Sequence, residues 1–337
     1  MRVFRCLCLA GAFVSVAVIL LPVCRADELP AAVVEAAKKE REVVLYGGIP
    51  GPALRPLRDL FEKRYDIRIS NWHGDMEDLV KRTAAGSKSA RPNFDVVVGG
   101  DTLMTALDAK GYFEPFEPPS ARGYSKELLV ASRRMTPWRV FVFAINYNTQ
   151  RLSAEQAPKT WEDLLDPKWK RKFLMPNPAL HSATLQFLLN LDKIVGSKWR
   201  SVVEGLAKQR PRLTRDPAEA IPTLASGELP LAIGYTKDKY QFGGPIDYVK
   251  MDKYLVSPSY AAVSRSAPHP NAARLFLDFF LGPESQQLIA NLGDYVLHPD
   301  VPDRFENDIK DDQLVPMRIP SASERETWTK KFKEMFK

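Results

Sequence analysis

Apolar positions along the chain repeat with two different spacings. Leu29, Val33, Val34 and Ala37 line one side of a helix from Pro30 to Arg41. Glu42–Tyr46 then reads as a short buried strand, closed by Gly47 and Gly48. Leu54, Leu57, Leu60 and Phe61 return to helical spacing over Ala53–Tyr65, Ile67–Trp72 alternates as a strand, and Met76–Ala85 is helical again. Phe94–Val98 is continuously apolar, the mark of a central parallel strand covered on both faces. Helices and strands alternating in this way predict an α/β fold built on parallel sheets. Two apolar runs, Val140–Tyr147 and Leu255–Val263, are long enough to pass from one lobe to another. The final helix is capped at Ser321 or Ser323 and spaces Trp328, Phe332, Met335 and Phe336 as one docking stripe. Prolines collect in loops such as Pro115–Pro119, and no fixed-period repeat or low-complexity tract is present.

The N-terminus has a different character. Arg2 and Arg5 precede an uncharged apolar run from Leu9 to Val23, followed by Cys24-Arg25-Ala26. A charged n-region, a short h-region and an A-x-A-like end describe a secretory signal peptide over residues 1–26. The run falls short of the roughly 20 residues that a spanning helix needs. Leu21-Pro22-Val23-Cys24 also loosely matches a lipobox, with Cys24 as the lipidated residue. Val23 is bulky where that signal takes Gly, Ala or Ser, so lipidation ranks second.

Cleavage after Ala26 removes Cys6, Cys8 and Cys24, the only cysteines. Disulfides, thiolate metal sites and a cysteine nucleophile are then excluded together. Without disulfides, an exported chain depends on a large core, and its length suits two lobes better than one. Cleavage also removes Arg2, Arg5 and Arg25, lowering the formal net charge from +7 to +4. That mild excess fits an anionic ligand or an ordinary basic surface. The densest basic cluster, Lys168, Lys170, Arg171 and Lys172, sits on a Pro-containing turn and reads as solvated. Nucleic acid is therefore not an expected partner. The four histidines form no HExxH pattern, and no GxSxG elbow, P-loop or dinucleotide fingerprint occurs. None of these patterns points to catalysis, so the chain is not expected to be an enzyme or to carry a cofactor of its own.

Six phrases in fixed order carry a family resemblance. They are Phe94–Asp101, Ala144-Ile145-Asn146-Tyr147-Asn148-Thr149, Trp161–Lys170, Ala225-Ser226-Gly227-Glu228, Leu231–Tyr235 and Pro270–Phe280. This order resembles the periplasmic (extracellular) solute-binding proteins of ABC importers, in the ferric-iron and small-anion branch, over about Glu42–Asp300. The resemblance implies a type II periplasmic-binding-protein fold, with two α/β lobes joined by a hinge of two crossing strands. The implied first lobe is discontinuous, residues 27–142 and 260–300, and residues 143–259 form the second. Residues 301–337 are a tail beyond the resemblance, ending in the docking helix. It further implies a periplasmic monomer that binds a small molecule or ion and delivers it to an ABC permease in the inner membrane. A ligand sensor for a membrane receptor would share the same fold.

In open α/β sheets, ligands sit at the carboxyl ends of strands, beside helix N-termini whose free N–H groups suit anions. Four turns meet that description. They offer Gly48, His73, the run Gly100-Asp101-Thr102, and Ser182 with Thr184. Asp101 or Thr102 is expected to cap the helix that follows, and Ser182 to cap its own. Related proteins often carry a Ser-Gly-Thr-like turn at the Ser182–Thr184 position, where this chain has Ala183. Ferric-iron binders of the family typically present adjacent tyrosines after the Ala-Ile-Gly strand. Here that place holds Tyr235 and Thr236, with the next tyrosine at Tyr240. Fe(III) stays open as a ligand through Tyr235, while Tyr235, Thr236, Ser182 and Thr184 suit an oxyanion such as a phosphonate, phosphate ester or carboxylate. Arg139 could neutralise such an anion, or lie on the surface at a strand entry.

Overall fold

The structure is a computed structural model that describes residues 28–49, 51–72, 94–124, 134–302 and 309–337. The expected signal peptide, His73 and the expected helix Met76–Ala85 lie outside the described residues. Among the described residues, no helix is long and apolar enough to cross a membrane.

Two long strands form the spine, β4 (Thr136–Asn148) and β9 (Tyr254–Val263). At about 3.3 Å per residue, the 13 residues of β4 span roughly 43 Å, more than the width of one small sheet. β4 changes partner along its length. Thr136–Val142 pairs antiparallel with β9, whereas Phe143–Tyr147 pairs antiparallel with β7 (Leu231–Tyr235). On the β9 side lie β3 (Val96–Gly100), β1 (Glu42–Gly47) and β2 (Arg68–Trp72), with β1 parallel to both of its neighbours. On the β7 side lie β5 (Phe173–Pro176) and β6 (Arg212–Thr214), again parallel. The sheet is thus two parallel triplets joined through an antiparallel pair.

Three short strands extend this frame. β8 (Ile246–Tyr248) and β10 (Tyr295–Val296) pair with β4, and β11 (Leu314–Pro316) runs parallel along β9.

The helices form where the apolar spacing predicts them. Gly51–Tyr65 buries Ala53, Leu54, Leu57 and Phe61, and the Phe61 ring meets Phe276 and Phe279 at 5.3 and 5.1 Å. One core draws its residues from Ala37–Val98 and Ala261–Val301, with Tyr124 and Trp138. A second core draws from Val140–Val256, from Tyr295 and from the tail. Each fully buried large apolar side chain contributes about 1.5–3 kcal/mol, so each core is a substantial source of stability. In the tail, Met317 N–H donates to the Val256 carbonyl at 3.0 Å. The helix Ala322–Met335 starts at Ser321, whose hydroxyl accepts from Glu324 N–H at 3.2 Å. Trp328 stacks edge-on against Trp199 at 5.3 Å, and Phe332 and Phe336 are buried. From Ile309 onward, the tail therefore packs on the second core, while Val301 stays with the first.

Candidate functional site

The parallel register of β5 and β7 sets Leu174 opposite Ala232, so the carboxyl ends of both strands open at one end of the sheet. β7 ends in Gly234-Tyr235, and a buried polar knot fixes this ending. The Asp238 carboxylate accepts from Tyr235 N–H at 2.9 Å and from Asn146 Nδ2 at 3.0 Å, while Asn146 Nδ2 also donates to the Tyr235 carbonyl at 3.1 Å. A Cβ at Gly234 would lie 2.6 Å from Asp238 Oδ2 and 2.9 Å from Asn146 Nδ2, so the knot closes only over glycine. Burial pushes the Asp238 carboxyl up from its ordinary 3.8 to about 6, against the pull of its hydrogen bonds and of Lys237.

Tyr235 is buried against Phe141 and Phe143, with ring centroids at 5.0 and 4.9 Å. That burial, reinforced by the Asp238 charge, raises its phenol well above the ordinary range. Its hydroxyl makes no hydrogen bond to a described residue. Thr236 is also buried, and its N–H donates to the Val142 carbonyl at 3.0 Å.

At the same sheet end, the helix Ser182–Asn190 departs from the expected capping. His181, not Ser182, is the N-cap. Its ring Nδ1 accepts from Thr184 N–H at 3.3 Å and lies 2.8 Å from Thr184 Oγ1. Burial pushes the His181 pKa down, which keeps the ring neutral and Nδ1 free to accept. Because the cap role is taken, Ser182 is left exposed. The N–H groups of Ser182 and Ala183 have no acceptor among the described residues. Thr184, in contrast, is fully buried with its hydroxyl spent on His181.

The other expected residues divide clearly. Gly48 is exposed, and a Cβ there would touch nothing, whereas a Cβ at Gly47 (φ +115°) would lie 1.8 Å from the Val98 carbonyl oxygen, so only glycine fits there. Gly100 is the N-cap of the helix Asp101–Ala109, so neither Asp101 nor Thr102 caps it as expected. Asp101 is instead turned inward. One oxygen accepts from Thr102 N–H at 2.6 Å, and the other from Gln186 Nε2 at 2.6 Å and Ser257 Oγ at 3.3 Å. Thr102 stays half-buried beside it. Arg139 is not a surface residue. It is 4% exposed, lies over the Trp138 and Phe141 rings at 4.2 and 4.5 Å, and meets Asp294 at 2.8 Å. The structure therefore gathers Ser182, Thr184, Tyr235 and Thr236 at one sheet end, while Arg139 and Asp101 sit on the crossing strands and the helix beside them.

Comparison with known proteins identifies the architecture. Residues 91–317 match the family described as bacterial extracellular solute-binding protein. The chain belongs to that family. An uncharacterized Haemophilus influenzae protein is 22% identical over 287 residues, covering 78% of this chain and 79% of its own. Iron-bound HitA from Pseudomonas aeruginosa has a similar fold, with a TM-score of 0.72 at 20% identity, over 86% of this chain and 99% of HitA. AfuA from Actinobacillus pleuropneumoniae, solved with exogenous fructose-6-phosphate bound, gives 0.69 at 18% identity, over 88% and 96%. The fold is thus the α/β type II fold of periplasmic solute-binding proteins that serve ABC importers.

Several residues of this solute-binding protein matter although the sequence did not single them out. Asn146 and Asp238 brace Tyr235, and His181 frees Ser182. Lys237 and Asp294 share charge with Arg139. Asn146 stood inside a family phrase, and His181 stood beside Ser182, so both were within reach. Asp294 lies far along the chain from Arg139 and Lys237, and only the folded structure unites them.

Proposed function

We propose that this protein captures a small oxyanion, such as a phosphonate, phosphate ester or carboxylate, between two lobes in the periplasm and delivers it to an ABC permease. The lobes are residues 27–142 with 260–300, and residues 143–259. The change of β4 partner between Val142 and Phe143 supports this division. The observation that carries the ligand class is the open helix start at Ser182. Two backbone N–H groups with no acceptor among the described residues and an exposed hydroxyl stand at a positive helix end, which suits an oxyanion. Tyr235 and Thr236 end the neighbouring strand, and a neutral phenol there donates a hydrogen bond rather than binding as an anion.

Ferric iron is the competing ligand, since HitA holds iron on the same fold. Iron would need Tyr235 as a phenolate, the state that burial disfavours here. The two readings separate in one experiment. Purified protein is screened by thermal shift against phosphonates, phosphate esters, sulfonates and carboxylates, and loaded with Fe(III) in parallel. An oxyanion at a hundredfold excess over its Kd stabilises by about 2.7 kcal/mol, and the ferric sample stays colourless. A coloured complex that disappears in Tyr235→Phe, with no anion giving a shift, would overturn the oxyanion reading.

A further inference from the structure

Arg139, Lys237 and Asp294 form a buried charge triad that joins parts of the chain on opposite sides of the partner change in β4. Asp294 follows the helix Pro283–Ala290 and precedes β10, on the segment returning to the first core. Lys237 follows Thr236, in the turn after β7. Arg139 lies on β4 itself, one residue from the Val140 that pairs with Tyr295. Asp294 Oδ1 is 2.8 Å from Arg139 Nη1 and 3.6 Å from Lys237 Nζ. Asp294 and Arg139 are 3% and 4% exposed, and Lys237 is 14% exposed. Two cations thus share one carboxylate in a place nearly free of water. Among the described residues, Arg139 Nε and Nη1 have no hydrogen-bond partner, so the Asp294 contact is an ion pair, and Phe141 lies under both cations, at 4.5 and 5.1 Å.

A steric contact accompanies the charges. Gly293 has φ +89°, and a Cβ there would lie 2.5 Å from Tyr240 Cβ and 3.2 Å from the Lys237 carbonyl. The turn carrying Asp294 therefore presses directly on the short helix Asp238–Phe242. That helix begins with the carboxylate that braces Tyr235 N–H. One rigid turn, Tyr235–Asp238, carries the candidate ligand contacts on one side and the ammonium facing Asp294 on the other.

We propose that Asp294 is a positioning residue, the counter-ion of an interlobe latch that ties the ligand-contacting turn to the hinge strand and biases the lobes toward closure before ligand arrives. The inference rests on the two-lobe division above but not on the identity of the ligand. Desolvation works against a lone charge at each corner and lowers the Lys237 pKa, while the Asp294 charge opposes that fall, so the carboxylate stabilises both cations. Opening the lobes hydrates Lys237 but separates it from its carboxylate. The latch thereby sets how far the ligand-free protein is closed.

The test uses small-angle scattering of the ligand-free, full-length mature protein, with circular dichroism as the folding control. Lys237→Met removes the interlobe charge from a partly accessible side chain and is expected to give a larger radius of gyration than wild type. Asp294→Asn leaves two adjacent cations and is expected to open the lobes further. The double variant is expected to return to the Lys237→Met curve, because the repulsion is gone. Lys239→Met is the control, since the Lys239–Asp247 pair (3.0 Å) stays within the second lobe, and its curve should match wild type. A folded Lys237→Met variant with the wild-type curve would overturn the latch, as would equal opening in Lys239→Met. Neither result depends on whether the ligand is an oxyanion or iron.

Discussion

The side-chain amide of Gln186 donates to the Asp101 carboxylate at 2.6 Å, joining the first turn of one helix to the middle of another 85 residues away in sequence. Asp101 begins the helix that follows β3, and Gln186 lies on the helix that follows β5, so the bond links the two parallel triplets directly. Gln186 also donates to the Arg318 carbonyl at 3.2 Å, and Asn190 Nδ2 donates to that carbonyl while its Oδ1 accepts from Arg318 N–H. The tail thereby holds Gln186 in place for Asp101.

Burial raises the Asp101 pKa, and its donors pull the other way. Removing a donor from so buried a carboxylate costs about 1–3 kcal/mol. Gln186→Leu is therefore expected to lower the unfolding free energy by that amount, measured by urea denaturation. Asp101→Asn, which keeps a hydrogen-bonding group and removes the charge, should cost less. Equal stability of Gln186→Leu and wild type would show that the bond is lost in solution.

Gly234 offers a more local test. Its hydrogen occupies the space that a Cβ would need against Asp238 Oδ2, at 2.6 Å. Overpacking of this kind costs about 1–3 kcal/mol. Gly234→Ala is expected to lower the melting temperature and to displace Tyr235, because the Tyr235 amide hangs on the same carboxylate. Gly48→Ala, where a Cβ meets nothing, should leave the melting temperature unchanged.

Asp238 predicts a pH dependence whose sign follows from its raised pKa. In the folded protein it titrates near 6, against an ordinary 3.8. Between those values the folded state binds more protons than the unfolded chain, so this residue's contribution to stability falls as pH rises through that window. A shift of about two units corresponds to roughly 3 kcal/mol. Asp238→Asn keeps an oxygen that can accept from Tyr235 N–H and Asn146, and it removes the titration. The variant is expected to gain stability relative to wild type between pH 4 and pH 7, with the two nearly matched at pH 4. A difference that does not change with pH would count against a raised Asp238 pKa.

The main elements were legible in the sequence because each follows from a local period. The run Val140–Tyr147 announced a strand too long for one sheet, and Phe94–Val98 announced a buried parallel strand. Capping was less legible. Ser182 is the better N-cap by residue type, yet the ring of His181 takes the role because Asn177 holds the preceding turn, accepting from His181 N–H at 2.8 Å and from Ala179 N–H at 2.9 Å. Arg139 shows a second limit. Its burial depends on Trp138 and Phe141 beside it, which were visible, and on Asp294, which no local pattern points to. Gly47 shows a third, since its φ of +115° answers the Val98 carbonyl across the sheet.

Ser182 and Thr184 looked equivalent in sequence, but the structure gives them opposite roles. Ser182 is exposed at the helix start, and its hydroxyl and N–H are open to a ligand. Thr184 is fully buried, and its hydroxyl is engaged by His181 Nδ1 at 2.8 Å. A hydrogen bond to a charged group contributes about 1.5–3 kcal/mol, so losing one weakens binding by roughly ten- to a hundredfold. Ser182→Ala is thus expected to weaken whichever anion gives the largest thermal shift by that factor, with no change in the ligand-free melting temperature. Thr184→Val should lower the ligand-free melting temperature, because it leaves His181 Nδ1 with only the weaker contact from Thr184 N–H at 3.3 Å. Its effect on affinity should be smaller than that of Ser182→Ala. Isothermal titration of both variants with the same anion decides the matter. A Thr184→Val variant that loses more affinity than Ser182→Ala, at unchanged stability, would place the ligand against Thr184 and move the site inward by one helical turn.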